Sequence, residues 1–331
     1  MAKQAISVAT RINDEESHGF RPSSSSRLKQ DQAAGRVLFS ITLLPVILVA
    51  LITVGLGIRF WPILKVYSFW ELVSGTVWKP EEGQFGFWPF ISGTFWVTVV
   101  GAGLAVPPCL LTALYLSEYA RASTRTIMKP LLDLLAAIPS VVYGVWGVIA
   151  IVPLVEKYIA PFFEKYLGFI PIFVSKNPTG YSILAGGIVL AVMIAPFIIA
   201  VTYEVLTTVS QGLRQASLAV GATQWQTIRA IVIPQTLPGI IASIVLGATR
   251  ALGETMAVLM VVGNVPQVPH SIFDTAYPLP ALIANNYGEM MSIPLYDAAL
   301  LGAAFILLVI ILIFNIASTL ALQRMLGKRR V

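Results

Sequence analysis

Long apolar runs alternate with shorter polar segments along this chain. Six of the runs are long enough to cross a hydrocarbon layer about 30 Å thick as a helix, which takes about 20 residues. They cover residues 37–58, 91–116, 131–153, 181–203, 236–262 and 298–320. Few charges interrupt them: Asp133 lies in the first turn of the third run, and Arg250 and Glu254 lie midway along the fifth. This pattern predicts an all-α polytopic membrane protein with six transmembrane helices.

The segments between and beside the runs are polar. Residues 1–36 carry mixed charge, include four consecutive serines and lack the apolar core of a signal peptide, so we predict a disordered cytoplasmic tail. Residues 59–90 form the predicted extracytoplasmic segment after the first transmembrane helix, and residues 323–331 form a basic cytoplasmic tail. Tryptophans in the 59–90 segment are expected either at the membrane interface or against a soluble partner: Trp61, Trp70, Trp78 and Trp88.

The composition agrees with a membrane protein and removes several kinds of chemistry. Apolar residues make up 56% of the chain and charged residues 11%, where soluble domains have about a quarter charged residues. The single cysteine, Cys109, cannot form an internal disulfide, and two distant histidines do not make a zinc site, so no metal site is expected. The net charge of +6 is typical of cationic cytoplasmic loops, and we expect no nucleic-acid partner.

The distribution of lysine and arginine predicts the orientation in the bilayer. With a cytoplasmic N-terminus, most of these residues fall on the inner side, in residues 1–36, 117–130, 204–235 and 321–331. Fewer fall in the outer segments, and the last of these, residues 263–297, holds none. Both termini are therefore predicted to be cytoplasmic.

The segment 207–235, on the predicted cytoplasmic side, differs from an ordinary polar loop. Its apolar residues follow helical spacing on both sides of Gly221, and Thr223 with Gln226 forms a capping box that starts a second helix. We expect two short amphipathic helices joined at the glycine, with Pro234 and Pro238 breaking the chain before the fifth span. Periodicity alone leaves three interpretations open: a helix pair on the lipid headgroups, a DNA-binding helix-turn-helix, and a docking surface for a soluble partner.

The sequence QASLAVGATQWQTIRAIVIP resembles the EAA loop of ABC importer permeases. That pattern is Glu-Ala-Ala, three residues, Gly, nine residues, Ile, any residue, Leu-Pro. The matching positions in this chain are Gln215, Ala216, Ser217, Gly221, Ile231, Ile233 and Pro234. Glutamine replaces the first glutamate and serine the second alanine. The resemblance implies that segment 207–235, called the EAA loop from here on, docks on a separate ATPase.

Three further stretches resemble the permeases of phosphate-specific (Pst) importers. They are TALYLSEYAR (112–121), AAIPSVVYGVWG (136–147) and ATRALGETMAVLMVVGN (248–264), and the last is more similar to PstC than to PstA subunits. The resemblance implies a type I ABC importer permease fold over a core of residues 91–322, in a bacterial plasma (inner) membrane. It also implies a PstA-like second permease subunit, a PstB-like ATPase dimer and a PstS-like extracytoplasmic phosphate-binding protein.

The resemblance further implies how energy is supplied. This chain has no G-x-x-x-x-G-K-[ST] phosphate loop, so ATP and Mg²⁺ are expected on the partner ATPase and no cofactor on this chain. We therefore predict a transport subunit rather than an enzyme. The H-E-x-x-H and G-x-S-x-G motifs are also absent, which argues against an intramembrane enzyme.

Arg250 and Glu254 are the strongest candidates for a site. An arginine midway along a span costs roughly 2.5–3.5 kcal/mol on insertion scales, so it should face protein or water. In a continuous helix it shares a face with Ser243 and Gly247, and Glu254 lies one turn later at ion-pair spacing. Two interpretations follow: a structural intrahelical pair, or a guanidinium that binds a passing anion while Glu254 holds it between transport events. The resemblance favours the second, with phosphate as the anion.

Other functions and smaller features stay open at this point. Related permeases for sulfate or molybdate also have EAA loops, and an ion-coupled secondary anion carrier would explain the charged pair without explaining the loop. Pro107 and Pro108 in the second run, and Pro139 in the third, are expected to bend or interrupt their helices. Ser140 and Tyr143 beside Pro139 could offer neutral donors to an anion, but we do not count them as site residues.

Overall fold

The computed structural model describes residues 24–174, 179–289, 293 and 295–327, with the backbone alone for 24–30 and 325–327. The predicted tail residues 1–23 and 328–331 lie outside this part. The helices are α1 Ser24–Leu64, α2 Phe69–Ser74, α3 Trp88–Glu118, α4 Ala122–Ala137, α5 Ser140–Leu167, α6 Ile183–Thr207, α7 Gln211–Ala219, α8 Gln224–Leu252, α9 Met256–Val261, α10 Leu279–Asn286 and α11 Tyr296–Gly327. A two-residue hairpin pairs β1 Trp78–Lys79 with β2 Gln84–Phe85.

Six of the described helices are long and apolar enough to span a membrane, as the sequence predicts: α1, α3, α5, α6, α8 and α11. The chain divides into two units, one ending at Gly55 and one beginning at Leu56. In the first unit the apolar side chains of residues 37–54 are exposed. In lipid this exposure costs nothing, because the hydrocarbon is as apolar as the side chains.

The prediction of a disordered tail is wrong for residues 24–36, which belong to α1. Extending an existing helix adds one hydrogen bond for each residue that is fixed, whereas starting a helix is costly. Gln32, Ala33 and Ala34 are good helix formers directly before the first apolar run, so the helix of the span continues into them.

The second unit has two hydrophobic clusters. The larger one joins α3, α4, α5, α6, α8 and α9, and α6 lies at its centre, with both of its faces buried. Close approach depends on glycine: a Cβ on Gly101 of α3 or on Gly187 of α6 would meet the facing helix at 2.8 Å or less. Small residues let membrane helices pack closely where no hydrophobic driving force exists between them.

The smaller cluster joins the end of α1, the hairpin and the helices α10 and α11. Trp78 packs there against Phe85, Phe87, Phe90 and Tyr296, with ring centroids 5.0–6.2 Å apart. It is thus part of a folded unit rather than of an aromatic belt. The other tryptophans of the 59–90 segment are exposed: Trp61, Trp70 and Trp88.

The third span begins later than the apolar run predicts. Residues 122–137 form the separate amphipathic helix α4, which contains Asp133, and the spanning helix α5 starts at Ser140. The residue before a proline is pushed out of the helical region, and Ile138, before Pro139, is extended with φ −63° and ψ 128°. The predicted interruption at Pro139 is therefore confirmed. Pro107 and Pro108 do not interrupt their helix, because α3 continues through both residues; the bend expected there stays a prediction.

The fifth span also departs from the prediction. It begins within the EAA loop, because α8 runs from Gln224 without a break at Pro234 or Pro238. Residues 228–232 form a wider π-type turn directly before Pro234. Such a turn shifts the hydrogen-bond pattern where a proline has no N–H to donate, so the helix can continue. The far end of the predicted span is broken, since α8 ends at Leu252.

Candidate functional site

The break between α8 and α9 lies beside the two charged residues of the fifth span. Arg250 is in the last turn of α8, Gly253 follows its end, and Glu254 comes before α9 starts at Met256. The predicted helical register from Arg250 to Glu254 is therefore wrong. Non-helical backbone at membrane depth is tolerated where it is buried in protein or lines a water-filled cavity. The break thus marks this level of the span as a candidate site.

Glu254 caps the helix that follows it. Its Oε1 accepts a hydrogen bond from the backbone N–H of Ala257 at 3.1 Å. Among the described residues the ion pairs are Lys79–Glu82, Lys129–Glu204 and Arg214–Glu118, so Glu254 is not paired with Arg250 there. The interpretation of a structural intrahelical pair is therefore wrong in this structure, and the charge of Arg250 is not neutralised by Glu254.

The interruption at Pro139, between α4 and α5, lies near the break between α8 and α9. Across the interruption at Pro139, the hydroxyl of Tyr143 donates to the carbonyl oxygen of Leu135 at 2.8 Å. One turn into α5, Gly144 lies against α9, where a Cβ would come within 3.2 Å of Cα of Ala257 and 2.6 Å of the Met260 sulfur. The absence of a side chain at Gly144 lets the interrupted helices of the third and fifth spans touch.

The side chain of Arg250 is exposed in this chain although it belongs to a spanning helix. Its guanidinium carbon lies 5.7 Å from the ring centroid of Phe197 on α6, within cation–π range. The phenol of Tyr143 is within electrostatic range of the same guanidinium. Arg250 therefore lies against an aromatic face and has no ion-pair partner in the part of the chain that the structure describes.

The small-residue face predicted beside Arg250 is confirmed along α8. Ser243 is fully buried, and its hydroxyl shares a 2.7 Å hydrogen bond with Thr202 of α6. A Cβ on Gly247 would come within 2.7 Å of the Ile198 side chain. Hydroxyl pairs and small residues fix α8 against α6 and so position Arg250.

The EAA loop has the predicted local structure at its start. Ser210 caps α7 by accepting the N–H of Leu213 at 3.4 Å, and α7 is followed by Gly221 at φ +88°. Thr223 and Gln226 form the predicted capping box at the start of α8, with hydrogen bonds of 2.8 and 3.2 Å. The prediction of two helices joined at Gly221 is confirmed, although the second continues into the membrane span.

The two positions that depart from the EAA pattern have different surroundings. Gln215 is exposed, as is Ala216. The hydroxyl of Ser217 is 2.8 Å from that of Thr227, so the serine links α7 to α8 where an alanine could not. Ile231 and Pro234 are partly buried within α8. The first helix of the loop, the turn at Gly221 and the start of α8 around Trp225 are exposed, whereas the later EAA positions are partly buried.

The turn at Gly221 gives a paired test by substitution. A Cβ on Gly221 meets nothing within 4 Å, but the left-handed backbone there costs an alanine about 1 kcal/mol. Gly212 has the same open space inside α7, where alanine should instead gain about 1 kcal/mol. We expect hydrogen exchange of the α7 amides to become roughly fivefold faster in Gly221→Ala and slower in Gly212→Ala. Equal exchange in both variants would show that the turn does not hold α7.

A buried ion pair that no local sequence pattern predicts joins the EAA loop to the end of the second span. Nη1 of Arg214 on α7 donates to both carboxylate oxygens of Glu118 on α3, each at 2.7 Å. The two side chains are 12% and 6% exposed. Glu118 lies within TALYLSEYAR, but 96 residues separate the partners, and local spacing gives no indication of such a pair.

A second ion pair lies nearby and is exposed. Nζ of Lys129 on α4 is 3.0 Å from a carboxylate oxygen of Glu204 on α6, and the side chains are 68% and 60% exposed. The hydrogen bond and the charge of Glu204 raise the pKa of Lys129 above its ordinary 10.5. Lys129 is therefore charged throughout the neutral range, and any stability from the pair is lost only as the pH rises through that raised value.

Exposed ion pairs contribute little, because water and salt screen them. Replacing Lys129 by Gln should leave the thermal unfolding temperature of the solubilised protein unchanged between pH 6 and 9. A decrease relative to the native protein that is present from pH 6 to 9 and shrinks as the pH rises through the raised pKa of Lys129, measured by differential scanning fluorimetry, would show that the pair matters more than its exposure indicates.

Comparison with known proteins decides the family. Residues 109–329 match the family described as binding-protein-dependent transport system inner membrane component. The chain belongs to this family. The permease is 35% identical over 286 residues to the phosphate transport system permease protein PstC of Haemophilus influenzae, covering 86% of this chain and 90% of that one. It is 33% identical to the probable ABC transporter permease protein YqgH of Bacillus subtilis, covering 93% and 94%.

Solved structures show the same fold. The permease aligns, with a TM-score of 0.58 and 17% identity, to a chain of a bacterial ABC transporter involved in the import of the acidic polysaccharide alginate. The alignment covers 90% of the permease and 99% of that chain. The type I ABC importer permease fold expected from the resemblance to Pst permeases is thus confirmed, and the permease is a multi-pass membrane protein.

Proposed function

We propose that this permease is one of two membrane subunits of an ATP-driven importer of inorganic phosphate. The observation that carries the proposal is the similarity to PstC permeases over most of the chain, at 33–35% identity in several bacteria. A PstA-like subunit would complete the pathway. The chain itself is a transport subunit, and ATP with Mg²⁺ would be used by a PstB-like ATPase dimer.

The geometry of the spans supports an anion pathway at the break between α8 and α9. Arg250 presents a guanidinium there that has no ion-pair partner among the described residues. A planar guanidinium binds tetrahedral oxyanions through two donors and stays charged even where water is scarce. We assign Arg250 to the anion path, and Glu254 to holding the break open by capping α9.

The exposed first helix of the EAA loop supports docking to an ATPase. Leu213, Leu218 and Val220 are exposed beside Gln215 and Ala216, and α7 has no buried residue in this chain. An amphipathic helix of this kind can bury its apolar side chains in a groove of a partner. The proposal places this loop and both termini in the cytoplasm, and a PstS-like binding protein on the opposite face.

Competition between anions tests whether phosphate is the substrate. Vesicles with the complete complex should take up radiolabelled phosphate when ATP is supplied, and excess unlabelled phosphate should suppress this uptake. Excess sulfate or molybdate should leave it unchanged. Uptake of labelled sulfate with no uptake of phosphate would replace phosphate by another oxyanion and leave the rest of the proposal standing.

A further inference from the structure

The first helix of the EAA loop has little hydrophobic attachment to the rest of the chain. None of the residues of α7 is buried, and its apolar side chains Leu213 and Leu218 are 44% and 49% exposed. A surface helix is normally held by an apolar stripe against the core. Polar contacts must therefore fix where α7 lies relative to the membrane spans.

Arg214 supplies the most extensive of these contacts. Besides its two bonds to the carboxylate of Glu118, it donates from Nη2 to the carbonyl oxygen of Leu206 at 2.8 Å. Leu206 lies in the last turn of α6, and Glu118 is the last residue of α3. One guanidinium thus connects α7 to the ends of two transmembrane helices.

Glu118 also binds the second helix of the loop. The side-chain amide of Gln224, the first residue of α8, donates to the backbone carbonyl of Glu118 at 2.7 Å. The hydroxyl of the neighbouring Ser117 donates to the Glu118 carboxylate at 2.9 Å, and the backbone carbonyl of Ser117 accepts from Nη2 of Arg125 at 2.8 Å. Both helices of the EAA loop therefore meet at one carboxylate-bearing residue, and α8 leads from there to Arg250.

A buried ion pair is weak evidence for stability, because desolvation of two charges offsets most of their attraction. Its stronger property is directional geometry, because Nη1 of the planar guanidinium is bound to the Glu118 carboxylate while Nη2 is bound to the Leu206 carbonyl, and these two contacts together hold the group in one orientation. We propose that Glu118 and Arg214 are positioning residues that transmit movement of the EAA loop to α3 and α6 during the ATP cycle. The proposal rests on the proposed function, in which this loop docks on an ATPase.

A distance measurement tests the connection without requiring transport. Cys109 is the only cysteine of the sequence, so a Cys109→Ala background allows spin labels at Ala219→Cys on α7 and Thr207→Cys at the end of α6, both exposed positions outside the apolar docking side chains. In the assembled complex we expect one narrow distance distribution. Glu118→Gln should at least double its width, whereas Lys129→Gln, which removes the exposed pair nearby, should leave it unchanged. A narrow distribution in Glu118→Gln overturns the proposal.

The stimulation of ATP hydrolysis by the binding protein tests whether the ion pair couples the EAA loop to the membrane spans. In the native complex, phosphate-loaded binding protein should stimulate ATP hydrolysis; Glu118→Gln and Arg214→Gln should each reduce this stimulation at least tenfold, and the double variant no further. A purely structural pair would change the yield of complex and leave the stimulation of what assembles intact, which overturns the proposal.

If the single variants fail to assemble, Glu118→Leu combined with Arg214→Leu removes both charges without leaving one buried alone. This variant should assemble and be uncoupled, and native coupling in it overturns the proposal. Failure of the native complex to move phosphate while its binding protein still stimulates ATP hydrolysis would contradict the proposed function instead.

Discussion

Replacing Arg250 by Gln should reduce phosphate uptake roughly 100-fold while the complex still assembles. A charge-assisted hydrogen-bond pair to an anion contributes about 2–3 kcal/mol, and glutamine offers the donors of one neutral amide in its place. In this structure the guanidinium rests over Phe197 and is not paired with Glu254, so its removal leaves no unpaired carboxylate behind. The measurement is ATP-driven uptake in vesicles, with co-purification of the subunits as the test of assembly.

Arg59→Gln is the matched control for this experiment. Arg59 is an exposed arginine of α1, outside the helices that meet at the two breaks. It should transport at the native rate. If Arg250→Gln transports like the control, the assignment of Arg250 to the anion path is wrong. If it instead abolishes assembly, the assignment is also wrong, and the guanidinium serves contacts between subunits.

Replacing Gly144 by Val should reduce uptake at least tenfold through packing rather than through charge. A Cβ at this position would come within 3.2 Å of the backbone of Ala257, and the two methyl groups of valine add further crowding between α5 and α9. Overpacking of this kind costs typically 1–3 kcal/mol. The thermal unfolding temperature should decrease by roughly 5 °C, and the movement of α9 away from α5 should displace the break beside Arg250.

Gly103→Val controls for the loss of a glycine from a spanning helix. A Cβ on Gly103 of α3 meets nothing within 4 Å in this chain. Its unfolding temperature should therefore match that of the native protein. Equal decreases in the two variants would mean that α5 and α9 do not need their close contact.

The spanning helices follow from the sequence because a bilayer requires long apolar runs. Their ends follow less well, for reasons that differ along the chain. Apolar residues continue through Ile138, so hydropathy alone merges α4 with α5, and the backbone restriction imposed by Pro139 is what separates them. At Pro234 the opposite holds, since a wider turn absorbs the missing hydrogen bond and the helix continues.

The candidate site was predicted in part. Arg250 stands out because intramembrane charge is rare, and the capping box at Thr223 is visible because its partners are three residues apart. The helix break at Gly253 was missed, since a single glycine in an apolar run is usually tolerated. The Glu118–Arg214 pair was also missed, because tertiary packing brings together residues that are far apart in the sequence.

The most direct test of the central claim is phosphate uptake by vesicles that contain this chain alone or together with its partner permease, the ATPase and the binding protein. We expect uptake only in the complete complex, with ATP present on the side that the EAA loop faces. Phosphate uptake by the chain alone, driven by an ion gradient and indifferent to ATP, would contradict it and identify a secondary carrier.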